Sequence, residues 1–204
     1  MRAFFALTCA CLCLAAGPHP AQRDTQLPFS EADADRFAVK LEGMLARSAA
    51  NGPRSRKPVQ TIVTEPEVNA YLRYRAQSQI PVGVLDPVIL AIGDGRLIGR
   101  ATVDLDLVRL SRERGWLDPM QLLRGRVPVE ATGVLRSRNG SFQFELETAY
   151  AGGLLIPKSL LQELVSFYSR TSANPAGIDM DAPFELPAGI REITVEAARA
   201  IIVQ

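Results

Sequence analysis

The sequence predicts an α+β fold, in which a curved antiparallel sheet of β-hairpins has one apolar face covered by about three helices. Two observations support this class. The turn dipeptides Asp94-Gly95 and Asn139-Gly140 each lie between stretches in which apolar and polar residues alternate, as in half-buried strands. Elsewhere, apolar residues recur at the spacing of an amphipathic helix.

The two hairpins set the register of the predicted sheet. Most apolar side chains share one face in this register, and a slip of one residue would destroy that agreement. We expect the first hairpin to continue along the apolar face through Val103, Leu105 and Leu107, with Asp104 and Asp106 on the polar face. Counting outward from each turn predicts the opposed pairs Ile92–Leu97, Leu90–Gly99, Val88–Ala101, Leu135–Phe144, Gly133–Leu146, Ala131–Thr148 and Val129–Tyr150.

Two helices are predicted before the first hairpin. One begins with a capping box at Thr64 and Glu67, directly after a strand at Val59–Val63. The other lies nearer the N-terminus and begins at Ser30, with Asp33 as its capping partner. The apolar stripe of that earlier helix consists of Ala34, Phe37, Leu41, Met44 and Leu45.

A third helix begins at Pro157, and its apolar residues at helical spacing are Leu160, Leu161, Leu164, Val165 and Tyr168. Two short elements are also predicted, a helical piece at Met120–Leu123 and an edge strand at Phe184–Leu186. A last hairpin would turn at Ala197-Ala198-Arg199 and set Ile193 and Val195 against Ile201 and Val203.

The first 21 residues are predicted to be a cleaved secretion signal, which leaves residues 22–204 as a single α+β domain. Arg2 supplies a positive start, Ala3–Ala16 is an apolar run, and Gly17-Pro18 breaks it. The run is too short to span a bilayer as a stable anchor. A lipoprotein, with one cysteine of the run modified, stays open as an alternative.

The leader holds all the cysteines and the histidine of the chain, namely Cys9, Cys11, Cys13 and His19. A mature protein without them lacks thiol nucleophiles, disulfides, histidine bases and the usual zinc ligands, so we expect a binding protein without a cofactor rather than an enzyme. The 23 basic residues include Arg2, so those that remain equal the 22 acidic residues. This balance gives no basic footprint for nucleic acid.

Two pairs of aspartates are the candidates for chemistry. Asp104 and Asp106 would point the same way from one strand, and Asp179 and Asp181 lie in a loop. Either pair could hold a hard cation or act as acid and base. A solvated sheet face explains the first pair and an ordinary loop explains the second, so we expect no metal site.

The apolar sheet face is the candidate binding surface. Gly99 with Ala101, and Ala131 with Gly133, make it shallow at matching depths in the two hairpins. Such a surface either receives a helix or forms a groove for an acyl chain. The candidate ligand-binding residues are Leu105, Ala131, Gly133, Phe144, Leu146, Leu160, Leu161, Leu164 and Tyr168.

The run VTEPEVNAYL, the paired amphipathic strands after it and the stretch GGLLIPKSLLQELVSFY resemble small exported bacterial proteins of the TULIP-like (tubular lipid-binding) and AsmA-like kind. The resemblance covers roughly Val59 to Gln204. It implies a strongly curved antiparallel sheet that wraps an apolar helix and leaves a lipid groove. Its motifs are a helix start and a strand pattern, so no binding residue of the family carries over to a particular position.

Three functions follow from these observations. The first is a periplasmic or secreted protein that binds an apolar ligand, in which transient membrane contact and any oligomeric state stay open. The second is an envelope scaffold or interaction domain whose helices fill the apolar face. The third is a carboxylate-based hydrolase, which would need several carboxylates converging in one cleft. An internal cavity would distinguish the first function from the second.

Overall fold

The computed structural model describes residues 28–50, 57–110, 124–170 and 174–204. The predicted leader and the predicted helical piece at Met120–Leu123 lie outside these ranges. The helices are α1 (Glu31–Ala50), α2 (Glu65–Tyr74), α3 (Leu105–Leu110) and α4 (Lys158–Ser169). The strands are β1 (Gln60–Thr64), β2 (Val84–Gly93), β3 (Arg96–Asp104), β4 (Arg126–Arg138), β5 (Ser141–Ala151), β6 (Leu154–Leu155), β7 (Phe184–Glu185), β8 (Glu192–Glu196) and β9 (Arg199–Val203).

The strands form two antiparallel sheets. A three-stranded sheet has the order β1-β9-β8, and a six-stranded sheet has the order β2-β3-β4-β5-β6 with β7 paired to the turn end of β5. The predicted α+β class with a curved antiparallel sheet is confirmed. The division into two sheets was not predicted, because the pairing of β1 with β9 joins distant parts of the chain that no local pattern relates.

The first hairpin turns at Asp94-Gly95 as predicted, but its register differs. An irregularity between Ala91 and Gly93 shifts β2 by one residue, so Ile89 lies opposite Gly99. An extra residue of this kind leaves the turn unchanged and reverses the faces of the residues beyond it. The predicted pairs Ile92–Leu97, Leu90–Gly99 and Val88–Ala101 are therefore wrong.

The second hairpin keeps its predicted register for only part of its length. The pairs Leu135–Phe144 and Gly133–Leu146 are confirmed, and an irregularity follows between Thr132 and Gly133. Beyond it, Ala131 and Val129 lie opposite Ala149 and Ala151, so the predicted pairs Ala131–Thr148 and Val129–Tyr150 are wrong. The bulge turns two alanines onto the apolar face, where the unbroken register would have placed Thr148 and Tyr150.

β3 ends at Asp104, where the predicted strand would have continued through Leu105 and Leu107. Asp104 accepts a hydrogen bond from the Leu107 backbone N–H at 3.1 Å, and its own N–H donates to the Gly83 carbonyl at 2.7 Å. The carboxylate thus caps α3. The alternation of apolar and polar residues through this segment predicts a strand, so it gives no sign of the helix. The prediction that Leu105 and Leu107 extend the sheet is wrong for this reason.

The helix starts in the N-terminal part are confirmed. The Ser30 N–H donates to Asp33 Oδ2 at 2.7 Å, and the Thr64 N–H donates to Glu67 Oε2 at 2.9 Å. The second contact is the predicted capping box, which orients α2 directly after β1. Residues 158–169 form the predicted third helix, and Phe184–Glu185 is the predicted edge strand.

The last hairpin is tighter than predicted, because only Ala197 and Ala198 connect β8 to β9. Ala198 has a positive φ of 61°, which closes the two-residue turn. Ile193 therefore pairs with Ile202 and Val195 with Ala200. The predicted partners Ile201 and Val203 are wrong.

Polar groups join the two sheets at the turn end of the larger one. The Asn69 side chain donates to the Ile89 carbonyl and accepts from the Ile89 N–H, both at 2.8 Å. The Ala198 N–H donates to the Ala91 carbonyl at 2.8 Å. α2 and the β8–β9 turn therefore protect the outer edge of β2 from pairing with another chain. Within the described ranges, none of the helices has the length and apolarity needed to traverse a bilayer.

Candidate functional site

One face of the six-stranded sheet, here called the inner face, carries apolar and small side chains in rows that cross the strands. Its large side chains are partly exposed rather than fully buried. An apolar surface that stays accessible to this degree is a candidate for ligand binding. The rows are Leu135–Phe144, Leu97–Gly133–Leu146, Ile89–Gly99–Ala131–Ala149, Ala101–Val129–Ala151–Leu154 and Val103–Val127.

The opposite face, here called the outer face, is laced with ion pairs. Arg96 holds Glu147 by two hydrogen bonds of 3.0 and 2.9 Å. These contacts lower the pKa of Glu147, since the Arg96 guanidinium bonds and attracts its charged form. The other outer-face pairs, Arg100–Glu130 and Arg136–Glu145, are also largely exposed. Charged pairs in water mark the outer face as the solvated side, so the inner face is the one available for an apolar ligand.

A hollow lies on the inner face at Gly99 and Ala131, which are directly opposite each other in β3 and β4. A Cβ atom built on Gly99 would meet no other atom within 4 Å, so the space above this residue is open. Gly99 has an ordinary strand φ, so its missing side chain is not required by the backbone. The sequence predicted shallowness here, and the structure places open space at the same point.

Gly133 was also predicted to be shallow, and this is wrong. A Cβ atom there would lie 2.5 Å from Phe144 Cζ and 2.5 Å from the Glu145 carbonyl oxygen. The Phe144 ring therefore already fills the space above Gly133. The absence of a side chain in a sequence cannot distinguish an empty hollow from one that a neighbouring ring occupies.

The other predicted ligand-binding residues fall into three places. Phe144 and Leu146 lie beside Gly133 on the inner face. Leu105 is buried in the first turn of α3, past the end of β3. The third place is α4, which contacts β5, and its predicted residues are the exposed Leu160, the partly exposed Leu161 and Leu164, and Tyr168, whose side chain is outside the described part.

A cleft of about 490 Å³, which sequence reasoning missed, lies where the β4–β5 turn meets β8. Ser137 holds the two elements together, since its hydroxyl donates to the Ile193 carbonyl at 2.9 Å and accepts from the Ile193 N–H at 2.6 Å. The ring of Phe142, which lines the cleft, stacks on the ring of Phe184 with 5.4 Å between the ring centroids. A polar serine that interrupts the apolar alternation of β4 is the signal that could have located it.

The predicted aspartate pairs do not form a shared site. Asp106 lies in the first turn of α3, so it does not point beside Asp104 from a strand, and that prediction is wrong. The pKa of Asp104 is lowered by the hydrogen bond from the Leu107 N–H and then by Arg126. Asp181 binds Lys158, and its N–H donates to Asp179. Among the described residues, no three His, Cys, Asp or Glu side chains are grouped so as to hold a metal ion.

Comparisons with known proteins add little to this site. No protein-family model matches the sequence, and no curated protein matches it. Among solved structures, a crystal structure of lipopolysaccharide binding protein aligns with a TM-score of 0.22 at 14% sequence identity. The alignment covers 72% of this chain and 40% of that one, so this chain spans less than half of its length. A likeness of this degree carries no argument about ligand or function.

Proposed function

We propose that this chain is an exported protein of the cell envelope that binds an apolar ligand, a lipid, on the inner face of its six-stranded sheet. The observation that carries the proposal is the open space above Gly99, directly opposite Ala131. Export is proposed from the leader pattern of the first 21 residues.

The physical basis of binding is the burial of apolar surface. The rows on either side of the hollow contain Leu97, Val129 and Leu146, whose side chains remain partly exposed. Each methylene that an acyl chain buries against them contributes about 0.8 kcal/mol before the cost of ordering the chain. A ligand with a single fatty-acid tail is therefore sufficient to test the proposal.

The hollow also bears on the alternative of a scaffold with a filled sheet face. Overpacking is destabilising in a dense core, but Gly99 has no neighbour within 4 Å of where a Cβ would lie. A Cβ atom at this position would therefore displace no protein atom, and we expect a larger side chain to extend from it into the open space above the sheet. The same change would remove the space that a ligand needs, so stability and binding should separate.

The experiment compares Gly99→Phe with the wild type in two measurements, thermal stability and uptake of a fluorescent fatty acid from solution. We expect an unchanged Tm and a loss of uptake of about tenfold or more, because the ring occupies the hollow. Thr102→Phe is the matched control, since it places the same ring on the outer face of the same strand. This control should take up the probe as the wild type does.

Two results would contradict the proposal. A wild-type chain that takes up neither fatty-acid nor phospholipid probes has no lipid site on this face. A Gly99→Phe variant that loses several degrees of Tm shows that protein already fills the hollow, as the scaffold alternative requires.

A further inference from the structure

Four exposed apolar side chains lie at the end of the six-stranded sheet away from the smaller sheet, and we call them the apolar tip. They are Val82 before β2, Leu107 in α3, and Leu154 and Leu155 in β6. Leu154 and Leu155 are 72% and 61% exposed, although they are adjacent leucines in a strand. Single exposed apolar residues are common, but a group at one end of a sheet requires an explanation.

The strand register brings these residues to the same end. Val84 at the start of β2 pairs with Val103, and Asp104 pairs with Arg126 at the start of β4. The β5–β6 turn lies next to them, since the Gly152 N–H donates to the Pro128 carbonyl at 2.8 Å. The turns that contact the smaller sheet are at the opposite end, where the Gly95 N–H donates to the Val195 carbonyl.

We propose that the apolar tip docks on the surface of a lipid bilayer, with Leu154 and Leu155 inserted among the acyl chains. The first argument is continuity with the inner face. The row that crosses Ala101, Val129 and Ala151 ends at Leu154, so the apolar inner face continues to this leucine. Leu155 is the next strand residue and lies on the other face, beside Tyr150. A lipid that leaves a bilayer at Leu154 would stay in contact with apolar side chains.

The second argument is the set of side chains that flank the leucines. Tyr150 pairs with Leu155 and is also exposed. Lys158 follows the leucines at the start of α4, whereas Arg126 lies at the start of β4, nearer the end of the sheet than Leu154. Exposed leucines flanked by a tyrosine and by cations with long aliphatic stems are groups that reside at a membrane interface.

The charges at the tip indicate how it would bind. Arg126 is paired with Asp104 at 3.1 Å, and Lys158 is paired with Asp181. These acidic partners offset the cations, so attraction to anionic lipid is weak and apolar insertion supplies the affinity. Binding should therefore occur on zwitterionic phosphatidylcholine vesicles and change little with added salt, because salt screens charges and leaves apolar burial intact.

The test is flotation of the purified chain with phosphatidylcholine vesicles, alone and with added phosphatidylglycerol. For the double variant Leu154→Asp and Leu155→Asp, we expect vesicle binding to fall by about tenfold or more, since two side chains no longer insert. Val39→Asp is the matched control, because Val39 is equally exposed at 68% but lies in α1. It should float as the wild type does, and both variants should keep the wild-type Tm.

Three results would overturn the proposal: a wild type that does not float, a double variant that floats as well as the wild type, and an equal loss in the Val39→Asp control. If the wild type is a dimer and the double variant is a monomer, the tip is a self-association surface instead. Uptake of a soluble fatty-acid probe is measured in parallel. If uptake is absent while flotation depends on the leucines, the proposed ligand site fails and the membrane tip stands.

Discussion

Two regions of the molecule bury their apolar residues to very different degrees. α1 and α2 pack against each other and, with the three-stranded sheet, enclose most of the buried apolar side chains. In the described strands of the six-stranded sheet, by contrast, Ala149 is the buried apolar residue. The buried residues of the first region, here called the helical end, include Ala34, Met44, Val63, Ala70 and Val195.

Because of this difference, we expect the helical end to supply most of the stability and the inner face to serve recognition. The helical end has a dense core, and it anchors the larger sheet through Asn69 and the β8–β9 turn. The inner face of the sheet is then free to remain accessible, because the fold does not depend on burying it completely. Regions with partial burial and open space are where ligands bind in proteins whose scaffold is rigid elsewhere.

Truncating one large residue in each region tests this difference in burial most directly. Met44 is 2% exposed at the helical end, whereas Leu146 is partly exposed on the inner face. Met44→Ala should lower the free energy of unfolding by about 2–5 kcal/mol, because it leaves a cavity in a packed core. Leu146→Ala should cost less than half as much. Urea denaturation of the ligand-free chain measures both, and equal losses would show that the two regions share one kind of core.

A smaller difference in unfolding free energy is expected between substitutions at two glycines of the inner face. Gly133→Ala should cost about 1–3 kcal/mol of unfolding free energy, since the new Cβ meets the Phe144 ring and the Glu145 carbonyl. Gly99→Ala should lie within about 0.5 kcal/mol of the wild type, because its Cβ enters open space. Thermal unfolding of both variants checks this, and a large loss in Gly99→Ala would argue that the hollow is already occupied.

These two glycines also show how far the sequence could predict the site. The turns at Asp94-Gly95 and Asn139-Gly140 and the alternation around them were enough to predict the antiparallel hairpins and the apolar face of β3 and β4, but not that of β2 or of the second half of β5. The capping residues at Ser30 and Thr64 were enough to predict the starts of α1 and α2. Signals of this kind are local, so they can be read from a single chain.

The predictions that failed depend on contacts between distant residues. The irregularities after Ala91 and before Gly133 shift the register within strands whose alternation continues unbroken. The filling of Gly133 requires the position of a ring on the neighbouring strand. The capping of α3 by Asp104 requires the chain to turn where a strand pattern would continue. A periodic pattern specifies a face, and it does not specify which neighbour packs on that face.

The smallest expected difference in stability is between an ion pair of the helical end and an ion pair of the outer face. At the helical end, the buried Glu67 carboxylate accepts two hydrogen bonds of 2.7 Å from Lys40 and one from the Thr64 N–H. Burial acts to raise the pKa of Glu67, but Lys40 and the Thr64 N–H outweigh it, so the pKa is lowered. On the outer face of the six-stranded sheet, the pair of Arg100 with Glu130 is largely exposed.

Glu67→Gln should therefore destabilise the chain by about 1 kcal/mol at neutral pH, whereas Glu130→Gln should change it little, since exposed pairs are screened by water. A group whose pKa is lowered in the folded state stabilises the protein above its unfolded pKa, and loses that contribution as pH falls through the folded pKa. The gap between wild type and Glu67→Gln should thus close on acidification from about pH 5 downward, where glutamates begin to protonate in unfolded chains. Denaturant unfolding of both variants across this range is the measurement. A gap that persists in acid would mean that Glu67 acts through its shape and hydrogen bonds, so that charge does not distinguish the two regions.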